Sequence, residues 1–280
     1  MSPPRRLTHD DAPDWATAWT ADSKAVVFTS DRGGKWGVFR QGISQATAEP
    51  LIEGRERTIL ARLSPDGAWV LYVETSATAS SHIPLQRLMR VPVNGGLPKL
   101  VFEITTAWWQ NHECARSPAN LCVIIEASLD LKRLTVADFD PLRGRGKLLR
   151  TINTAIGEGF CHSLSPDGST LAIARGDEPE IHIRLLSMTG GSDREIAVKG
   201  WPNSGSMEWS ADGKGIYCTS ISSQGGTLLY VDLKGTARVL WHSKELDGGP
   251  FIAGVPSPDG RYLALTGAIH NSTAWMVEGF

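Results

Sequence analysis

Leu63-Ser64-Pro65-Asp66-Gly67 recurs along the chain, and the recurrence decides the fold. It returns as Leu164-Ser165-Pro166-Asp167-Gly168 and as Pro256-Ser257-Pro258-Asp259-Gly260. Trp209-Ser210-Ala211-Asp212-Gly213 replaces Pro by Ala, and Trp19-Thr20-Ala21-Asp22-Ser23 replaces both Pro and Gly. Ser117-Pro118-Ala119-Asn120 reads as a sixth copy, with Asn moved one place from the Asp position. Counted from Thr20, Ser64, Ser117, Ser165, Ser210 and Ser257, the spacings are 44, 53, 48, 45 and 47 residues. One four-stranded propeller blade takes roughly 40–50 residues.

Turn chemistry explains the motif. Pro presets φ at the first corner, Asp accepts backbone N–H bonds, and Gly takes the position with φ > 0. Asp22, Asp66, Asp167, Asp212 and Asp259 are therefore read as structural turn residues. An apolar run follows each copy, for example Val70-Leu71-Tyr72-Val73 and Leu171-Ala172-Ile173-Ala174. Such continuous runs suit strands covered on both faces. A third strand, a Gly turn and a fourth strand complete each unit, and no helical stripe appears. The expectation is an all-β, six-bladed β-propeller of four-stranded blades in a single domain, 1–280. The blades fall near 12–54, 55–104, 105–152, 153–200, 201–246 and 247–280 plus 3–9. The last unit has three strands of its own, so Pro4-Arg5-Arg6-Leu7-Thr8 is expected to supply its fourth and close the ring.

The Ser-Pro-Asp-Gly turn at this period resembles the TolB-like, WD-type propeller repeat of bacteria. The third unit, with Cys114-Ala115-Arg116-Ser117-Pro118 and Asp140-Pro141-Leu142-Arg143-Gly144, is similar to propeller segments fused to bacterial Ser/Thr protein kinases or winged-helix regulators. That resemblance implies an extracytoplasmic sensing or interaction module within a longer signalling or cell-envelope protein.

Composition removes other classes. Lys plus Arg number 28 against 30 Asp plus Glu, a net charge of −2, so no nucleic-acid partner is expected. No apolar stretch reaches the ~18 residues of a membrane span, so no membrane insertion by this segment is expected. Each Asp-Gly turn offers one carboxylate, short of a calcium loop, and the seven His show no zinc spacing. No metal and no cofactor are expected. A Gly-x-Ser-x-Gly elbow and a phosphate-cradling loop are both missing, so the chain is not expected to be an enzyme. Two alternatives stay open: a propeller lyase acting on acidic polysaccharide, and the substrate-gating propeller of a peptidase whose catalytic domain is absent.

A hairpin turning at Ser117–Asn120 places Cys114 and Cys122 directly opposite or one step off, within disulfide range, and a bond is expected there, with two buried thiols as the alternative. A bond there points to an oxidising, periplasmic compartment, with a cytoplasmic location as the alternative. Cys161 and Cys218 read as core residues. Trp19 and Trp209 occupy matching positions before the turn and read as packing residues. The stereotyped first turns leave little freedom to build a site. The opposite end of the blades carries variable loops, where function usually sits. Trp15, Arg57, Trp108, Trp109, Asn111 and Phe160 are the candidate contacts there, for a protein or peptide ligand bound at the channel mouth of a monomer.

Overall fold

A computed structural model describes residues 4–10, 12–54, 57–75, 86–104, 112–128, 130–153, 160–176, 178–202, 204–223, 225–243, 253–267 and 273–278. Strand β1 (Arg5–Arg6) comes first. Strands β2 (Asp14–Trp19), β3 (Ala25–Ser30), β4 (Gly37–Gly42) and β5 (Glu49–Ile52) form a four-stranded sheet. The second contains β6 (Arg57–Leu63), β7 (Trp69–Thr75), β8 (Gln86–Pro92) and β9 (Lys99–Ile104). The third contains β10 (His112–Cys114), β11 (Cys122–Ala127), β12 (Arg133–Asp140) and β13 (Gly144–Asn153). The fourth contains β14 (Phe160–Leu164), β15 (Thr170–Arg175), β16 (Ile181–Ser187) and β17 (Arg194–Val198). The fifth contains β18 (Ser204–Trp209), β19 (Gly215–Ser222), β20 (Gly225–Asp232) and β21 (Ala237–Ser243). The last contains β22 (Ala253–Pro256), β23 (Tyr262–Gly267) and β24 (Thr273–Glu278).

These are the six blades of a β-propeller, each an antiparallel sheet, and five of them run in chain order. The last sheet runs β1-β24-β23-β22, with Arg5 opposite Met276 and Arg6 opposite Trp275. The N-terminal segment thus supplies the missing strand, as the sequence predicts, over two residues rather than five.

The chain divides into two units, Thr17–Ala155 and Met1–Ala16 with Ile156–Phe280. In the first, Val27, Val38, Val70, Tyr72 and Val91 pack between the first and second sheets. Leu71, Val73, Leu88, Ile124 and Phe139 pack between the second and third. In the other unit, Ala172, Ile183, Trp209, Cys218 and Leu229 fill the space between the fourth and fifth sheets. Strands β3 and β11 are buried at every position, which is why their sequences do not alternate.

The recurrent turn works as its chemistry demands. Ser165 Oγ donates to Asp167 Oδ1 (2.6 Å), which also accepts Ser169 N–H (3.0 Å), while Thr170 N–H donates back to Ser165 Oγ (2.9 Å). The same three bonds form around Asp22, Asp66, Asp212 and Asp259. Gly67 takes φ +69°, and a Cβ there would stand 2.7 Å from Ala21 Cβ in the neighbouring turn, so no other residue fits.

The third blade departs from the expected copy. The side chains of Ser117 and Asn120 form no hydrogen bond among the described residues, and the Ser117–Pro118 peptide is cis. The bonded motif instead joins β11 to β12. Ser128 Oγ donates to Asp130 Oδ1 (2.6 Å), Lys132 N–H to the same oxygen (3.2 Å), and Arg133 N–H to Ser128 Oγ (3.0 Å). Leu131 takes φ +56°, where the other copies place Gly or Ser. The β10–β11 hairpin is tied covalently instead: Cys114 lies directly opposite Cys122 and the two form a disulfide, with Cα atoms 4.0 Å apart.

Candidate functional site

In a propeller the first strand of each blade stands nearest the axis, so its polar side chains are the first place to look for a site. In the unit Thr17–Ala155, β6 carries a bulge. Ile59 pairs with Val73 and Arg62 with Leu71, so Leu60 and Ala61 together oppose Tyr72, with Leu60 at φ +59°. Beyond it, Arg62 donates to Thr17 O on β2 and lies 3.3 Å from Glu113 Oε1 on β10. His112, beside Glu113, is also buried. A second ion pair joins Arg145 of β13 to Glu126 of β11, which raises the pKa of the guanidinium.

In the other unit, β14 lies against β18. Ser163 Oγ donates to Glu208 Oε2 (3.2 Å) and accepts Trp209 N–H (3.1 Å), while Trp209 Nε1–H donates to Ser163 O (3.0 Å). Trp209 and Trp19 are both buried, as packing residues should be. Cys161 and Ser204 lie 3.0 Å apart, Sγ to Oγ. Burial pushes the Cys161 thiol up to about 11, and Cys218 rises for the same reason, so neither is a thiolate near neutrality. His162 is buried, with its ring 5.6 Å from that of Phe160. Among the described residues, no three His, Cys, Asp or Glu side chains are grouped to hold a metal ion.

The predicted contacts fall as follows. Trp15 is the second residue of β2 and 38% exposed, between a fully buried Asp14 and a buried Ala16. Arg57 is the first residue of β6, and half-buried Phe160 the first of β14. All three therefore stand where a first strand begins, at the end opposite the turns that join first to second strands. Trp108, Trp109 and Asn111 lie outside the described residues. Sequence reasoning missed Arg62, Glu113, Ser163 and Glu208. Arg62 and Ser163 offered one signal, a charged or hydroxyl residue next to apolar ones in a first strand, whereas Glu113 and Glu208 lie in the mixed strands His112–Cys114 and Ser204–Trp209.

The turn carboxylates are tuned by the bonds they accept. The Thr20 hydroxyl lowers Asp22, and the Ser165 hydroxyl lowers Asp167. At Asp259 partial burial acts upward, but Ser257, Arg261 N–H and the Arg261 guanidinium prevail and hold it at about 2.

No protein-family model and no curated protein matches this chain. Solved structures do match. An oligogalacturonate lyase in complex with manganese is 16% identical with a TM-score of 0.61, over 98% of this chain and 92% of that one. An oligogalacturonate lyase from Vibrio parahaemolyticus is 13% identical with a TM-score of 0.60, over the same shares. TolB from Acinetobacter baumannii is 13% identical with a TM-score of 0.64, over 91% of this chain and 64% of that one. At such identities the likeness is one of fold, and the class it defines is the β-propeller. Within that class the chain resembles both TolB and lyase propellers.

Proposed function

We propose that this propeller is a non-catalytic module that holds a protein or peptide ligand at the end of the blades where the first strands begin. Trp15 carries the reading. Trp15 is 38% exposed on a strand whose other residues are all buried, so part of a large aromatic residue reaches water from a rigid frame. Aromatic residues so placed are the anchors of interfaces. The polar groups of the first strands support the same view, because Arg62 with Glu113 and Ser163 with Glu208 are spent on one another. In its sharper form the module is a sensor within a larger signalling or envelope protein outside the cytoplasm. The Cys114–Cys122 disulfide and the TolB-like fold support that compartment.

Selection of a random-peptide library on the immobilised chain tests the reading. Enriched peptides should lose about 2 kcal/mol of binding to Trp15→Ala, roughly 30-fold, with melting unchanged. Peptides that bind Trp15→Ala as well as the parent chain would move the site elsewhere.

A lyase acting on acidic polysaccharide is the second reading. One observation favours it: this chain covers 92% of each lyase structure but 64% of TolB. Polygalacturonate incubated with the protein, with and without a divalent metal, separates the two. A rise in unsaturated-product absorbance above the protein-free control would overturn the non-catalytic reading.

A further inference from the structure

The turn after β8 reads Val93-Asn94-Gly95-Gly96, and Asn94 is the only one of the chain's six Asn that precedes Gly. That pair has a reactivity of its own. The backbone nitrogen after an Asn can attack the side-chain carbonyl carbon and close a five-membered ring. Gly hinders this least, because it has no Cβ. At Gly95 the approach is open: φ is +86°, and even an added Cβ would find no atom within 4 Å. Asn94 itself is exposed.

The side chain is held by its oxygen. Arg40 Nη1 donates to Val93 O (2.9 Å) and Asn94 Oδ1 (2.9 Å), and its Nη2 to Glu49 Oε2 (2.8 Å). A guanidinium only donates, so Asn94 must turn its oxygen to Arg40. Its Nδ2 group has no partner among the described residues. The oxygen that turns negative on attack thus meets a cation, and the nitrogen that must leave is tied to nothing. One bond restrains the nucleophile: Gly95 N–H donates to Pro92 O (2.8 Å), so the turn must open before the ring closes. The Asp-Gly pairs of the Ser-Asp turns do not share this reactivity, because ring closure on Asp needs the neutral acid. Asp167, Asp212 and Asp259 titrate below 3.8, so near neutrality they are carboxylates without a leaving group.

We propose that Asn94 is a self-modifying site, converting from amide to carboxylate without an enzyme, and that Arg40 captures the new charge. Gly95 N bonds to Asn94 Cγ, its proton passes to solvent, and Nδ2 takes up a proton and leaves as ammonia. Water then opens the succinimide. Breaking the new bond gives Asp, and breaking the original peptide bond gives isoaspartate. In sum an amide and water become a carboxylate and ammonium, with no change of oxidation state. The formal charge of the chain passes from −2 to −3. The Asp product keeps the length of the main chain and puts a carboxylate where Oδ1 meets Arg40, a charge-assisted bond in place of a weaker one. Arg40 stands on β4 and Asn94 in the turn after β8, so the change tightens the seam between the first two blades. This does not rest on the reading of Trp15.

Ageing of the folded chain in mildly alkaline H₂¹⁸O, followed by peptide mapping, tests the site. Asn94 should convert at least threefold faster than any other Asn, with one ¹⁸O in each product. The label separates conversion during ageing from conversion during digestion. Asn94→Asp, which copies the Asp product, tests the capture. It should raise the urea midpoint at low salt, and the gain should vanish when Arg40→Met is added. The proposal is overturned if Asn94 stays intact or converts behind another Asn, or if its product lacks the label. It is equally overturned if Asn94→Asp brings no gain, or the same gain with and without Arg40.

Discussion

Arg62 and Glu113 meet across two blades, Nη2 to Oε1 at 3.3 Å, with the same guanidinium donating to Thr17 O in a third. One side chain thus joins the first strands of three consecutive sheets. The bulge at Leu60–Ala61 makes this geometry, because it shifts Arg62 out of the regular alternation of β6.

Removing one partner should therefore destabilise the unit. Arg62→Met takes the cation from a carboxylate that is only 7% exposed, a change of about 2–4 kcal/mol. Urea unfolding of Arg62→Met, Glu113→Gln and the double variant should show coupling, with the double variant less unstable than the sum of the singles. Simple additivity would mean that the two groups are neighbours without an energetic tie.

The disulfide should stand in for the Ser-Asp turn that the β10–β11 hairpin lacks. Cys114 and Cys122 are 8 residues apart in sequence, and closing so short a loop stabilises by roughly 2–3 kcal/mol in the chain-entropy model. Reductant, or Cys114→Ser with Cys122→Ser, should lower the urea midpoint accordingly. Intact mass after alkylation should show two modified thiols in the denatured, unreduced protein, at Cys161 and Cys218, and four after reduction. Four without reduction would remove the bond.

Acid should loosen the turns. Asp22, Asp130, Asp167, Asp212 and Asp259 all titrate below 3.8 when folded. In each, the unfolded chain takes up a proton first as pH falls. The stabilisation is therefore complete above about pH 4 and lost on the way down towards about 2, the value for Asp259. Urea midpoints measured from pH 5 to pH 2 should fall through that window. Asp259→Asn should lower the midpoint at pH 5 and flatten part of the slope.

The fold was legible because its signal is local. Hydroxyl, Asp and Gly at fixed offsets form their bonds within six residues, so each copy can be read without knowing what packs around it. The same locality misled at Ser117-Pro118, which looks like the motif but has no Asp at the bonding distance. Ser128-Leu129-Asp130 keeps the Ser-x-Asp spacing without Pro or Gly, and its Leu131 accepts a positive φ that composition does not advertise. The site was less legible for the opposite reason. Arg62 and Glu113 lie 51 residues apart, and only the bulge in β6 and the neighbouring blade bring them together. Trp15 was readable as a candidate because an aromatic beside Asp14 stands just before an apolar strand. That its neighbours are buried while it is exposed depends on the packing of β2.

The N-terminal strand offers a last test, since two ladder pairs are a slender tie. Arg5–Arg6 pairs with β24, but the next residue, Leu7, is only 2% exposed, and Thr8 is buried with it. Arg6 turns back on the segment, donating from Nε to Thr8 O and from Nη2 to Asp10 O. The anchor is therefore the apolar side chain more than the ladder. Leu7→Ala should lower stability by about 2–4 kcal/mol, as a cavity in a closed core does. Arg5→Ala, on an exposed side chain, should change it by less than about 0.5 kcal/mol. Deleting residues 1–10 removes both anchor and strand and bares the edge of β24 beside buried Met276 and Val277. An open edge next to apolar side chains templates pairing between chains. The truncated protein should unfold less cooperatively and form soluble aggregates, seen by light scattering at concentrations where the full chain stays clear. A truncated chain that melts and scatters as the full one does would show that β24 needs no partner there.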